Sequence, residues 1–66
     1  MTDDERRQLR HDLRTPLTIV TGFSEVLAAD RPISDDARRD YAARIHAAAE
    51  ELRQMLDALF DEKPAA

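Results

Sequence analysis

Apolar residues fall at Leu9, Leu13, Pro16, Val20, Phe23 and Leu27, at spacings that alternate between four and three. That alternation is the seam of a bundle helix about five turns long. Leu17, Ile19 and Val26 widen the stripe beyond a simple two-stranded seam. The same rhythm returns at Tyr41, Ile45, Ala48, Leu52, Met55 and Leu59, with Ala42, Ala49 and Leu56 in a flanking row. Alanines at 42, 43, 47, 48 and 49 favour helix and allow a partner to approach closely. Between the two stripes, residues 28–36 break the pattern. Pro32 cannot continue the first helix and pushes Arg31 away from helical geometry. Ser34 then reads as an N-cap, with Asp35 and Asp36 in the next first turn. At the other end, Thr2 and Glu5 have the spacing of a capping box. The pattern predicts one helix over about residues 3–29, a loop over about 30–34 and a second helix over about 35–61. Lys63-Pro64-Ala65-Ala66 reads as a stop and a frayed tail. Gly22 costs roughly 1 kcal/mol inside a helix relative to alanine, and permits either a close helix contact or extra bending near Pro16.

So short a loop makes the two helices antiparallel neighbours. A single hairpin covers one side of each helix and leaves a strip of leucines facing water. Two hairpins paired into a four-helix bundle bury both stripes, so the expected fold is all-α, a helical hairpin that forms a homodimer. The size of the chain supports this: 66 residues make one small domain, whose core alone rarely supplies more than ~3–5 kcal/mol. With no cysteine there is no disulfide and no thiolate zinc site, and two histidines far apart make a poor metal signature. A net charge of −4 with 36% charged residues argues against a nucleic-acid partner. No apolar run approaches the ~20 residues that span a bilayer, so this segment is expected to make no membrane contact and to work in the cytoplasm. The chain is then either complete in itself or cut from something larger, such as the cytoplasmic part of a membrane-bound sensor.

The candidate chemistry lies in His11-Asp12-Leu13-Arg14-Thr15-Pro16-Leu17. Proline in a helix interior removes a backbone hydrogen bond and clashes with the carbonyl four residues earlier, here that of Asp12, at a cost of ~3 kcal/mol. A chain that accepts this beside a His-Asp pair points to chemistry rather than packing. With the seam facing the core, His11 falls diametrically opposite it, Thr15 lies one turn further along the same face, and Asp12 sits at its flank. Imidazole is a good nucleophile at neutral pH when one nitrogen is unprotonated. A carboxylate that accepts the other nitrogen's proton fixes the tautomer and raises basicity. The arrangement suits attack on a phosphoryl group, where positioning and charge neutralisation do most of the catalysis. Arg6, Arg7, Arg10 and Arg14 surround it in sequence and can offset the charge of a phosphohistidine. His46, beside Ile45 and off the second seam, has no such surroundings and reads as a surface histidine.

The run HDLRTPL closely resembles the phosphoacceptor motif of sensor histidine kinases, in their dimerisation and histidine-phosphotransfer domain. The resemblance continues through Leu17-Thr18-Ile19-Val20-Thr21-Gly22-Phe23-Ser24-Glu25-Val26-Leu27 and the helix–loop–helix length, and so covers nearly the whole chain. It implies that His11 is phosphorylated from ATP and passes the phosphoryl group to an aspartate of a response regulator receiver domain. It implies that Asp12 is the general base of the kinase step. Thr15 matches the residue that positions water for dephosphorylation of the regulator, and Pro16 the proline that bends the first helix. The family's ATP-binding domain has no counterpart in these 66 residues. ATP and Mg are therefore expected on a separate kinase domain, acting in cis or in trans, and this chain alone is expected to have no kinase activity. Two other readings remain open: a free-standing histidine phosphotransfer protein of a phosphorelay, and a passive dimerisation bundle with a degenerate site.

Overall fold

A computed structural model describes residues 1–60 and places them in two helices, α1 (Asp3–Ala28) and α2 (Asp35–Leu59), folded as a hairpin. The expected helix–loop–helix order is present, with helix starts at Asp3 and Asp35. α1 stops at Ala28 rather than 29 because Ala29 turns to extended backbone, φ −68° and ψ 145°. Its N–H still donates to the carbonyls of Glu25 at 3.0 Å and Val26 at 3.3 Å, which closes the last turn. The expected end of the second helix at 61 and the Lys63–Ala66 tail lie outside the described residues.

Both helix starts follow from their cap residues. The Thr2 hydroxyl accepts the Glu5 N–H at 3.1 Å, and the Thr2 N–H donates to the Glu5 carboxylate at 3.1 Å. The backbone N–H of Thr2, and then its hydroxyl, hold the Glu5 carboxyl below its ordinary value of 4.5. The Ser34 hydroxyl caps α2 by accepting the Ala37 N–H at 3.0 Å.

The seam predicted for α1 is the face turned towards α2. Leu9, Leu13, Val20, Phe23 and Leu27 are half-buried, and Pro16 is fully buried. On α2 the corresponding row is Tyr41, Ile45, Leu52 and Met55, with Ala48 buried at its centre. Phe23 and Tyr41 pin the register, with ring centroids 5.1 Å apart and planes tilted by 33°. The Arg44 guanidinium lies 5.8 Å from the Phe23 ring centroid and covers its edge of the seam. Leu59 departs from the expected seam and is 39% exposed. With Phe23 against Tyr41, the antiparallel register carries Leu59 to the level of Glu5, where α1 offers only its acidic first turn.

One hairpin does not close a core. The molecule is only 13 Å through its thinnest dimension, the depth of a single helix layer. Large apolar side chains consequently stay open on both flanks. Leu17 (51% exposed) and Leu56 (44%) lie on the same flank as Leu13, whereas Ile19 and Val26 lie beside Phe23 on the other. The alternatives for Gly22 are also resolved in part. A Cβ built there meets nothing within 4 Å, so no close contact inside the hairpin requires glycine. Gly22→Ala is therefore expected to raise stability by ~0.4–1 kcal/mol, read as a higher melting temperature. An unchanged or lower melting temperature would show that the backbone at Gly22 needs its freedom.

Candidate functional site

α1 carries the whole HDLRTPL run within its continuous helix. Pro16 is fully buried and anchors the run against α2. Because proline has no N–H, the Asp12 carbonyl lacks its usual donor four residues on. The missing backbone hydrogen bond expected from the sequence thus falls at a buried position, one residue beyond Thr15.

His11, Asp12, Arg14 and Thr15 are all exposed. His11 lies on the side of α1 turned away from α2, since Leu9, Leu13 and Pro16 occupy the facing side. It shares a surface groove with Asp4, Arg7 and Gln8, the residues one and two turns before it. Thr15 stands one turn after it. Further along the helix, the Thr21 hydroxyl donates to the Thr18 carbonyl at 3.1 Å and the Ser24 hydroxyl to the Thr21 carbonyl at 2.9 Å. No such bond engages the Thr15 hydroxyl among the described residues, which leaves it available to a water or a ligand.

Asp12 does not pair with His11. Consecutive helix residues point about 100° apart, so their side chains do not face one another. The carboxylate instead accepts a hydrogen bond from the Gln8 side-chain amide at 2.9 Å. Gln8 is the site neighbour that reading the sequence missed. Its signal was present, because glutamine four residues before aspartate is a stabilising helical pair. The outcome is a carboxylate fixed at the flank of the histidine, oriented by Gln8 and open to a proton donor brought in from outside.

The two helices handle their arginines differently. On α2, Arg38, Arg39, Arg44 and Arg53 each bond a carboxylate three or four residues earlier, at 2.8–3.3 Å. The Arg53 hydrogen bond, with its charge, lowers the Glu50 carboxyl below its ordinary value, and Glu50 in turn raises Arg53. These pairs are exposed and add little to stability. On α1, Arg6, Arg7, Arg10 and Arg14 make no ion pair with a described residue. Residues 6–14 hold those four arginines against the single carboxylate of Asp12. In a chain of net charge −4, the segment that carries His11 is thus locally positive, with Arg7 in the histidine's own groove and Arg6, Arg10 and Arg14 beside Leu9, Leu13 and Leu17. Elsewhere the described residues contain no group of histidines and carboxylates able to hold a metal, and no helix long and apolar enough to cross a membrane.

Comparison with known proteins agrees with this geometry. The His Kinase A (phospho-acceptor) domain family matches residues 6–63. The sensor histidine kinase YcbM of Bacillus subtilis is 34% identical over 53 residues, covering 80% of this chain and 17% of that protein. An uncharacterized sensor-like histidine kinase, R01002, of Rhizobium meliloti is 36% identical over 53 residues, 77% of this chain and 10% of its own length. The cell-division control histidine kinase PdhS of Brucella ovis is 34% identical over 56 residues, 82% of this chain and 5% of its own. The chain thus spans a small part of the curated relatives it matches. No solved structure matches it significantly. An exposed histidine opposite an apolar seam, a buried proline five residues on and a family match over most of the chain lead to one conclusion: the chain belongs to the phosphoacceptor domains of the histidine kinases.

Proposed function

We propose that His11 is the phosphoacceptor of a two-component sensor histidine kinase. The observation that carries this reading is the exposed His11 on the side of α1 turned away from α2, five residues before the fully buried Pro16. A separate kinase domain supplies ATP and its Mg. An imidazole nitrogen of His11 attacks the γ-phosphorus as the bond to the β-phosphate oxygen breaks, and ADP leaves with that electron pair. Asp12, oriented by Gln8, takes the proton released from the other nitrogen through an intervening water. In the second half of the cycle an aspartate of a response regulator receiver attacks the phosphorus. The nitrogen–phosphorus bond breaks, and the nitrogen keeps its electron pair. Thr15, with its free hydroxyl one turn from His11, positions water when the regulator is dephosphorylated. The domain works in the cytoplasm.

The same reading pairs two hairpins as a homodimer through the flank that carries Leu17 and Leu56. What supports this is the open apolar strip of a molecule one helix layer thick. Sedimentation equilibrium is expected to show a dimer at micromolar concentration. Leu52→Ala is expected to cost ~2–5 kcal/mol, because a second hairpin completes the burial that one hairpin leaves partial. A stable monomer, or a cost within error, would contradict the pairing. Function itself is tested by transfer. Hairpin labelled by a kinase domain and freed of ATP should lose its phosphoryl group to an added cognate receiver domain, and should keep it when the receiver's aspartate is replaced by asparagine. A label that stays on the hairpin with the intact receiver refutes the phosphotransfer reading.

A further inference from the structure

We infer that Arg7 is a phosphoryl-binding residue of this site, resting on the reading of His11 as the phosphoacceptor. Arg7 precedes His11 by four residues and lines the same groove, so its guanidinium and the imidazole are surface neighbours one turn apart. The other residues of that groove leave the task to Arg7. The Gln8 amide is bonded to Asp12, and Asp4 is an anion that repels a phosphate. Asp4 also stands three residues before Arg7, the spacing at which Arg38, Arg39 and Arg53 capture a carboxylate on α2, yet no ion pair forms there. The Arg7 guanidinium is thus the one cation of the groove, and among the described residues no carboxylate holds it. Its planar fork of donors matches two non-bridging phosphoryl oxygens, which an ammonium group does less well. A phosphoryl group on His11 brings about two negative charges to a site exposed to water. A cation one turn away on the same rigid helix stabilises that charge without a change of fold. Arg14, three residues after His11, adds charge from the other end of the histidine's turn but does not line the groove.

The experiment uses potassium phosphoramidate, a small donor that phosphorylates accessible imidazoles without a kinase. The imidazole nitrogen attacks phosphorus, the donor's phosphorus–nitrogen bond breaks and ammonia leaves. The ionisation of the phosphoryl group is then followed by phosphorus NMR across pH. The His11→Gln variant retains only the His46 signal and so assigns the spectrum. His46 serves as a reference without nearby arginine at the same spacings, since Ala42 and Ala49 stand where Arg7 and Arg14 stand relative to His11. Arg7→Gln is expected to raise the phosphoryl pKa on His11 by about 0.5 unit, as expected for loss of one charge roughly 5 Å away in water. Arg7→Lys, which keeps the charge, is expected to restore most of the difference, and the His46 signal should not move. Helix content by circular dichroism should be the same in all variants, because residue 7 is exposed. A titration in Arg7→Gln that matches the wild-type chain overturns the inference and leaves the phosphoacceptor reading standing. That reading fails separately, if a kinase domain with ATP does not label His11.

Discussion

Replacing His11 with glutamine is expected to abolish phosphoryl acceptance from a kinase domain while leaving helix content and melting temperature within error of the wild type. The loss is complete because glutamine offers a polar side chain of similar reach but no nucleophilic nitrogen. The fold survives because the position faces away from α2 and contributes no buried surface. Circular dichroism and a labelling assay on the same preparation separate the two effects. Residual labelling in His11→Gln would place the acceptor elsewhere. His46 is the alternative, yet it lacks a following proline and an adjacent carboxylate, and Ala42 and Ala49 stand where Arg7 and Arg14 stand relative to His11.

Asp12→Asn is the second large effect. Asparagine keeps the size and the polarity of the side chain, and its carbonyl still accepts the Gln8 amide hydrogen bond. Orientation is therefore preserved and only the proton acceptor is removed. Phosphorylation of His11 is expected to slow by ~10²–10⁴-fold, the usual range for general acid–base catalysis. Thr15→Ala provides the contrast. It should spare phosphorylation and reduce dephosphorylation of the regulator, since water must be positioned only in that reaction. The check is to measure all rates in one system containing the kinase domain and the receiver. Equal losses of phosphorylation in Asp12→Asn and Thr15→Ala would refute the division of labour.

The seam was legible in the sequence because helix burial follows a period that few other patterns mimic. Spacing alone puts Leu9, Leu13, Pro16, Val20, Phe23 and Leu27 on one face, and that face meets α2. Leu59 fits the same spacing but lies open. Periodicity says which side of a helix is apolar and not whether the partner helix offers an apolar residue at that level. The helix starts at Thr2 and Ser34 were legible because capping depends on residues three apart, whereas the end of α1 at Ala28 was set by Ala29, which carries no local stop signal. Within the site, spacing correctly put His11 and Thr15 on an exposed face. It suggested a bond between His11 and Asp12 that helix geometry does not allow. Neighbours in sequence are not neighbours on a helix, and the residue that reaches Asp12 is Gln8, one turn away. The contrast between paired arginines on α2 and unpaired ones around His11 was not legible from charge counts. It depends on which carboxylates lie a helical turn away and which of them form the bond.

The most direct test of the account is to locate the phosphoryl group itself. The hairpin is incubated with a histidine-kinase ATP-binding domain, ATP and Mg, and then fragmented by mass spectrometry without exposure to acid. The expected result is one phosphoryl group on His11, none on His46, lost in acid and retained in base. A phosphoryl group on His46, on a hydroxyl such as Thr15, or nowhere on the chain would contradict it.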